Sequence, residues 1–204
     1  MEMNCKNDKV YTICYDRLDV FNNKDEAKKF YTECYYMSEG AEHQRYASIL
    51  VDLNFSNIGR DNVSYDCREI SIKVGDYSDK FLNIELEDRL SIDDTIKYYE
   101  EKIQPILDVS DDYGIDFNRV VPFDDFGSDE ESDYMSSFSN YYKELFEKFN
   151  INVGNIYTEE ISDGKYNLMV NDVELRLRAG DKIESVIDNI DTMHEISKNN
   201  DLEY

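Results

Sequence analysis

The segment REISIKVGDYSDKFLNIELEDRLSIDDTIKYYEEKI, residues 68–103, decides the fold. Arg68 to Val74 and Lys80 to Leu86 alternate polar and apolar side chains with a period of two, which predicts two strands joined through the Gly75-Asp76 turn region as a hairpin. The period then changes. Ser91 with Asp94 three residues on resembles a capping box, and Ile92, Ile96, Tyr99 and Ile103 recur at helical spacing until Pro105, which is placed to kink or end the helix. Strands followed by a capped helix predict an α+β protein, with antiparallel hairpin and meander strands and packed helices.

The same order recurs downstream. Asp133 to Phe149 is amphipathic, with Phe138, Tyr142, Leu145 and Phe149 in helical register. Asn155 to Ile161, Lys165 to Val170 and Val173 to Arg178 read as a β-meander, turned at Asp163-Gly164 and at the tight pair Asn171-Asp172. Asp181 with Glu184 caps a last helix through Ile183, Ile187 and Ile190. Hairpin followed by helix thus occurs twice, which suggests two similar lobes. Upstream, Val10 to Tyr15 reads as a strand, and Asp25 opens a helix through Ala27, Phe30, Tyr31, Cys34 and Tyr35 that stops near Gly40. A second helix from Ala41 carries Tyr46, Ile49, Leu50 and Leu53, and Gly59 marks the expected end of this small helical module. The expected domains are 1–60, a strand with a helix pair, and 61–204, a strongly acidic α+β region with a sub-boundary near 108–133.

Composition excludes several classes. With 41% hydrophobic residues, 17 Tyr and 10 Phe, the 204-residue chain is too rich in core formers for a disordered acidic tail. Cys5, Cys14, Cys34 and Cys67 form no CxxC pair, which points to free thiols in a reducing cytosol. His43 and His194 lie outside any HExxH, HxE or His/Cys pattern, and eight glycines build no phosphate-cradling loop. Placing Gly114 or Gly127 at the sixth position of a calcium loop fails the EF-hand pattern in both registers. The nuclease-like match Asp25-Glu26-Ala27-Lys28 falls on a predicted helix. The expectation is therefore a non-enzyme without metal, cofactor or catalytic residue. The start MEMNCKNDK is not a basic-then-apolar leader and no segment approaches 18 apolar residues, so a cytoplasmic protein of a bacterial host cell, without a membrane partner, is expected.

Charge carries the functional reading. Residues 1 to 60 hold 10 Asp+Glu against 8 Lys+Arg, whereas residues 61 to 204 hold 36 against 14, a net of −2 and then −22. Like charge at this density costs stability, and it attracts a basic groove at fast, salt-sensitive rates. Between Asp108 and Asp133 ten acids face the single base Arg119. The residues singled out there are Asp111, Asp112, Asp124, Asp125, Asp129, Glu130, Glu131 and Asp133, interleaved with Tyr113, Phe117, Phe123, Phe126 and Tyr134 as apolar anchors. On the last helix Glu184, Asp188, Asp191 and Glu195 recur at spacings of 4, 3 and 4, a ladder of about 5 to 6 Å per charge on one face. That pitch approaches the charge repeat of a nucleic-acid strand, about 3.4 Å. The partner implied is a basic nucleic-acid-binding protein, with no direct nucleic acid. Two acidic lobes are also compatible with a homodimer.

The run KKFYTECYYMSEGAEHQRYASILVDL, from Lys28 to Leu53, resembles an amino-terminal segment of mobile-element proteins of low-GC Gram-positive bacteria. Among these are anti-CRISPR proteins against the type II effector nuclease, with a shared front module and divergent acidic partner-binding regions. The resemblance covers about the first 60 residues and carries no catalytic residue. It implies an anti-defence inhibitor whose target is a CRISPR effector nuclease or a restriction enzyme. Two other readings stand beside it: a small carboxylate-dependent enzyme acting on the guide complex or nucleic acid, and an immunity-type protein that neutralises a basic toxin.

Overall fold

A computed structural model describes residues 9–63, 65–74, 81–113, 115, 117, 139–162, 165–171, 173–176 and 183–200. It is an α+β structure in two compact units, Met1–Tyr99 and Glu100–Tyr204.

The first unit is built around the hairpin β1 (Val10–Cys14) and β2 (Arg17–Phe21), which turns in two residues, Tyr15-Asp16. Tyr15 takes a left-handed φ of 60°, unusual for a bulky residue, and the turn is held by Asp61, which accepts from the Tyr15 N–H at 3.0 Å. Next come α1 (Lys24–Met37) and α2 (Gly40–Asp52). The Asn23 side chain caps α1 by accepting from the Glu26 N–H, while Glu26 reaches back to the Asn22 N–H. Gly40, at φ +62°, makes the tight step between the helices that a residue with a Cβ would resist.

The short strand β3 (Ile58–Arg60) then pairs parallel with β1, β4 (Cys67–Lys73) pairs parallel with β2, and β5 (Phe81–Leu90) pairs antiparallel with β4. The order is β3-β1-β2-β4-β5. All five β1 residues are buried because both faces of the strand are covered. On one face Val10, Cys14 and Phe21 pack against Ala27, Tyr31, Ile49 and Leu53 of the helix pair. On the other, α3 (Ile92–Tyr98) packs on β2 and β4, and the edge of the Tyr99 ring meets Tyr11. As expected, Ser91 caps α3 by accepting from the Asp94 N–H.

The expected boundary near residue 60 is replaced by the division at 99/100. The physical reason is the parallel pairing: β3 and β4, on either side of that point, are hydrogen-bonded into the same sheet. Gly59 is no terminus. It lies where β3 passes so close to α2 that an added Cβ would stand 3.0 Å from Ile49 Cγ2 and from Leu53 Cγ.

The division falls inside a π-helical turn, Tyr99–Ile103. Pro105 does not end the helix there. It occupies the first turn of α4 (Gln104–Asp112), where the missing N–H costs nothing. The second unit continues with α5 (139–148), the meander β6 (Ile156–Ser162), β7 (Lys165–Val170) and β8 (Val173–Arg176), and α6 (Ile183–Asn200). Its buried residues include Ile106, Val109, Tyr141, Leu145, Leu168, Val170, Ile183 and Ile190. Asn171, at φ +49°, turns β7 into β8, and its side-chain oxygen accepts from the N–H groups of Gly154 and Asn155. Among the described residues the first unit carries a five-stranded mixed sheet and the second a three-stranded antiparallel sheet. Among the described residues no helix is long and apolar enough to cross a membrane.

Candidate functional site

Of the acids singled out in the sequence, Asp124, Asp125, Asp129, Glu130, Glu131 and Asp133 lie outside the described residues, as do Phe123, Phe126 and Tyr134. Asp111, Asp112, Glu184, Asp188, Asp191 and Glu195 are placed, all in the second unit.

Asp111 and Asp112 end α4 on its exposed side, because Ile106, Val109 and Ser110 turn the other side inward. Two contacts fix this end against α5. The Ser110 hydroxyl donates to the Ile106 carbonyl and lies 3.1 Å from the Tyr141 hydroxyl. The Tyr113 ring meets Tyr141 edge-on, with centroids 5.9 Å apart, and its hydroxyl donates to Glu144 at 3.1 Å. Glu144 and Glu147 occupy the exposed side of α5, opposite Tyr141, Tyr142, Leu145 and Phe146. Asp112, Glu144 and Glu147 therefore gather around Tyr113, with Asp111 next to Asp112 in the last turn of α4. Local desolvation, then the bond to Glu144 and the charges of Glu144, Asp112 and Glu147, raise the Tyr113 phenol above its ordinary range. Glu144 and Glu147 escaped sequence reading. The available signal was their position opposite the Tyr142/Leu145 stripe, three residues apart.

The α6 ladder has a different character. Ile183, Val186, Ile187, Ile190 and Met193 are buried, Asp188, Asp191 and Glu195 are exposed, and Glu184 is half-buried. The spacing does place the four acids away from the core stripe. Asp191, however, is ion-paired with Lys102. A cleft of about 430 Å³ beside this pair is lined by Lys102, Asp191, His194, Glu195 and Lys198. Desolvation, then Lys102 and Lys198, depress the His194 pKa against the opposing pull of Asp191. The ladder is thus partly neutralised from within.

The first unit buries polar groups of another kind. Asp19 is fully buried and accepts from Tyr31, whose hydroxyl in turn accepts from Thr12 at 2.9 Å; Arg17 reaches Asp19 at 2.6 Å. Burial, followed by Asp61 and Asp19, pushes the nearby Cys14 thiol up to about 12, which makes it a poor nucleophile at neutral pH. His43 stacks on Tyr35 and meets the Tyr35 carbonyl through Nδ1. Among the described residues no three His, Cys, Asp or Glu side chains converge as a metal-binding group.

No protein-family model, curated protein or solved structure matches this chain.

Proposed function

We propose that this protein is an anti-defence inhibitor that occupies a basic nucleic-acid-binding surface of a bacterial nuclease, with a type II CRISPR effector as the first target to test. The observation that supports it is the convergence of Asp112, Glu144 and Glu147 around Tyr113, beside Asp111, on a unit, residues 100–204, that holds 26 Asp+Glu against 9 Lys+Arg. Carboxylates spaced on two helices around one aromatic offer a basic groove what a phosphate strand offers, with an anchor at the centre. No bond is made or broken in this mechanism; inhibition is stoichiometric and reversed by salt.

The test is capture from a lysate containing CRISPR and restriction nucleases at about 0.1 M and about 0.5 M salt, below and above the range where screening halves the reach of charge. A nuclease recovered free of nucleic acid at the lower salt only, and lost when Asp111, Asp112, Glu144 and Glu147 are all changed to Lys, is the expected result. Full inhibition of the captured nuclease by that folded variant would remove the patch from the interface. Inhibition at far below one inhibitor per nuclease would replace binding by catalysis.

A further inference from the structure

The five arginines of the first unit, Arg17, Arg45, Arg60, Arg68 and Arg89, all gather at the β1–β2 turn end of its sheet. Arg17 is paired in register with Cys14 beside the turn, Arg45 lies over the Tyr15 ring at 4.2 Å, and Arg60 stands opposite Ile13. The Arg68 N–H donates to the Asp16 carbonyl, and the Arg89 side chain reaches Asp16. Lys9 and Lys28 instead bond Asn22 and Asn54 at the opposite end. Arg17 and Arg45 are committed to the buried carboxylates Asp19 and Asp61. Arg60 and Arg89 are not so committed. Each is about half exposed and only loosely paired, to Asp93 at 3.9 Å and to Asp16 at 3.6 Å.

These two guanidinium groups line one open cleft of about 500 Å³, together with Tyr65, Asp66, Ile92 and Asp93. The volume suits a small organic ligand. The α3 N-terminus is spent on its own cap, so the charge that could hold an anion is the arginine pair. Guanidinium forks match phosphate oxygens in pairs, and the loose carboxylate partners yield to a ligand at little cost. Tyr65 lines the cleft and is 56% exposed, which leaves its ring accessible to a stacking base. Asp66 and Asp93 would repel a bare anion but accept from hydroxyl or amino groups, so the ligand must carry donors as well as a phosphate.

We propose that this cleft binds a nucleotide, with its phosphate on Arg60 and Arg89 and its base against Tyr65. The site lies in the first unit and stands independently of the acidic surface of the second. Free nucleotides and nucleotides within a single strand share this chemistry, and the test separates them.

Binding of AMP, inorganic phosphate and a single-stranded RNA pentamer is measured by calorimetry at low ionic strength. AMP is expected to bind at least about 10-fold more tightly than phosphate, and the double variant Arg60→Ala/Arg89→Ala to weaken it about 10-fold or more, as lost charge-assisted hydrogen bonds would. Tyr65→Ala should weaken AMP about 5-fold or more through lost stacking. Arg89→Lys, which keeps the charge and the fold but loses the fork, should fall between. A pentamer that binds about 10-fold more tightly than AMP assigns the site to a strand, by the gain from neighbouring phosphates, and equal binding assigns it to the free nucleotide. The proposal is overturned by the absence of AMP and RNA binding at millimolar concentration, by phosphate binding as tightly as AMP, or by unchanged binding in the folded arginine variants.

Discussion

Asp19 has the most exacting surroundings of any side chain described. It is enclosed between β2 and α1 and depends on Tyr31 and Arg17 for its partners. Desolvation raises its pKa while Arg17, Tyr31 and their hydrogen bonds oppose the shift, so the charge is tolerated only with those partners in place. Asp19→Ala leaves the buried Tyr31 hydroxyl without its acceptor and Arg17 without its partner, and should cost about 1–3 kcal/mol by urea unfolding, the usual penalty for a buried donor left unsatisfied. A midpoint unchanged from wild type would refute this account of the network. His194 gives a second check. Its folded pKa is below the ordinary 6.5, so between the two values the unfolded chain binds more protons, and this contribution to stability falls as pH drops through that window. Lys102→Met removes a cation and releases Asp191, and both changes act in the same direction. The His194 titration followed by NMR should move upward, and a fixed or lowered value would break the assignment. His194 stood out in the sequence only as one of two histidines, and Asp19 not at all. Asp19 is one polar letter inside a short strand, and its burial is decided by Tyr31, twelve positions away.

Among the elements, the β4–β5 hairpin, the capped α3, the meander and the amphipathic helices were legible, because each carries its own periodicity or turn residues. β2 and β3 were not. The turn between β1 and β2 uses Tyr15-Asp16 rather than a glycine, and β3 spans three residues, too few to show a period. Parallel pairing leaves no local mark at all. The close passage of β3 over α2 yields a prediction: Gly59→Ala places a Cβ 3.0 Å from Ile49 Cγ2 and Leu53 Cγ and 3.1 Å from the Ile49 carbonyl. Overpacking of this kind should cost about 1–3 kcal/mol in thermal or urea unfolding, and a fully stable variant would show that β3 is free to shift. The two acidic helix surfaces should also differ. Changing Asp188, Asp191 and Glu195 to Lys should weaken partner capture less than the α4/α5 reversal, since Lys102 already offsets Asp191. The reverse ranking would move the interface to α6.

For the molecule as a whole, charge sets the terms. A net of −24 on 204 residues makes self-repulsion a standing cost of the folded state. Raising salt from about 0.02 M to about 0.3 M should therefore raise the Tm, because the screening length falls from beyond 20 Å to below 10 Å. A Tm insensitive to salt would mean that internal pairs dominate over the long-range field. The sequence showed the excess of acid clearly but located its onset near residue 60, whereas the compact units divide at 99/100. With that division, the first unit carries 20 Asp+Glu against 13 Lys+Arg and the second 26 against 9. The sheet of the first unit also has a consequence for synthesis. Its central hairpin emerges first, and its two parallel neighbours must wait for the helix pair between them. A chain exposed only through residue 60 could seat β3 on β1 but would leave the β2 edge, with Leu18 and Val20, open until β4 emerged. During that interval another copy could pair with the open edge, which makes the arrival of Cys67–Lys73 the step that commits the unit to folding alone.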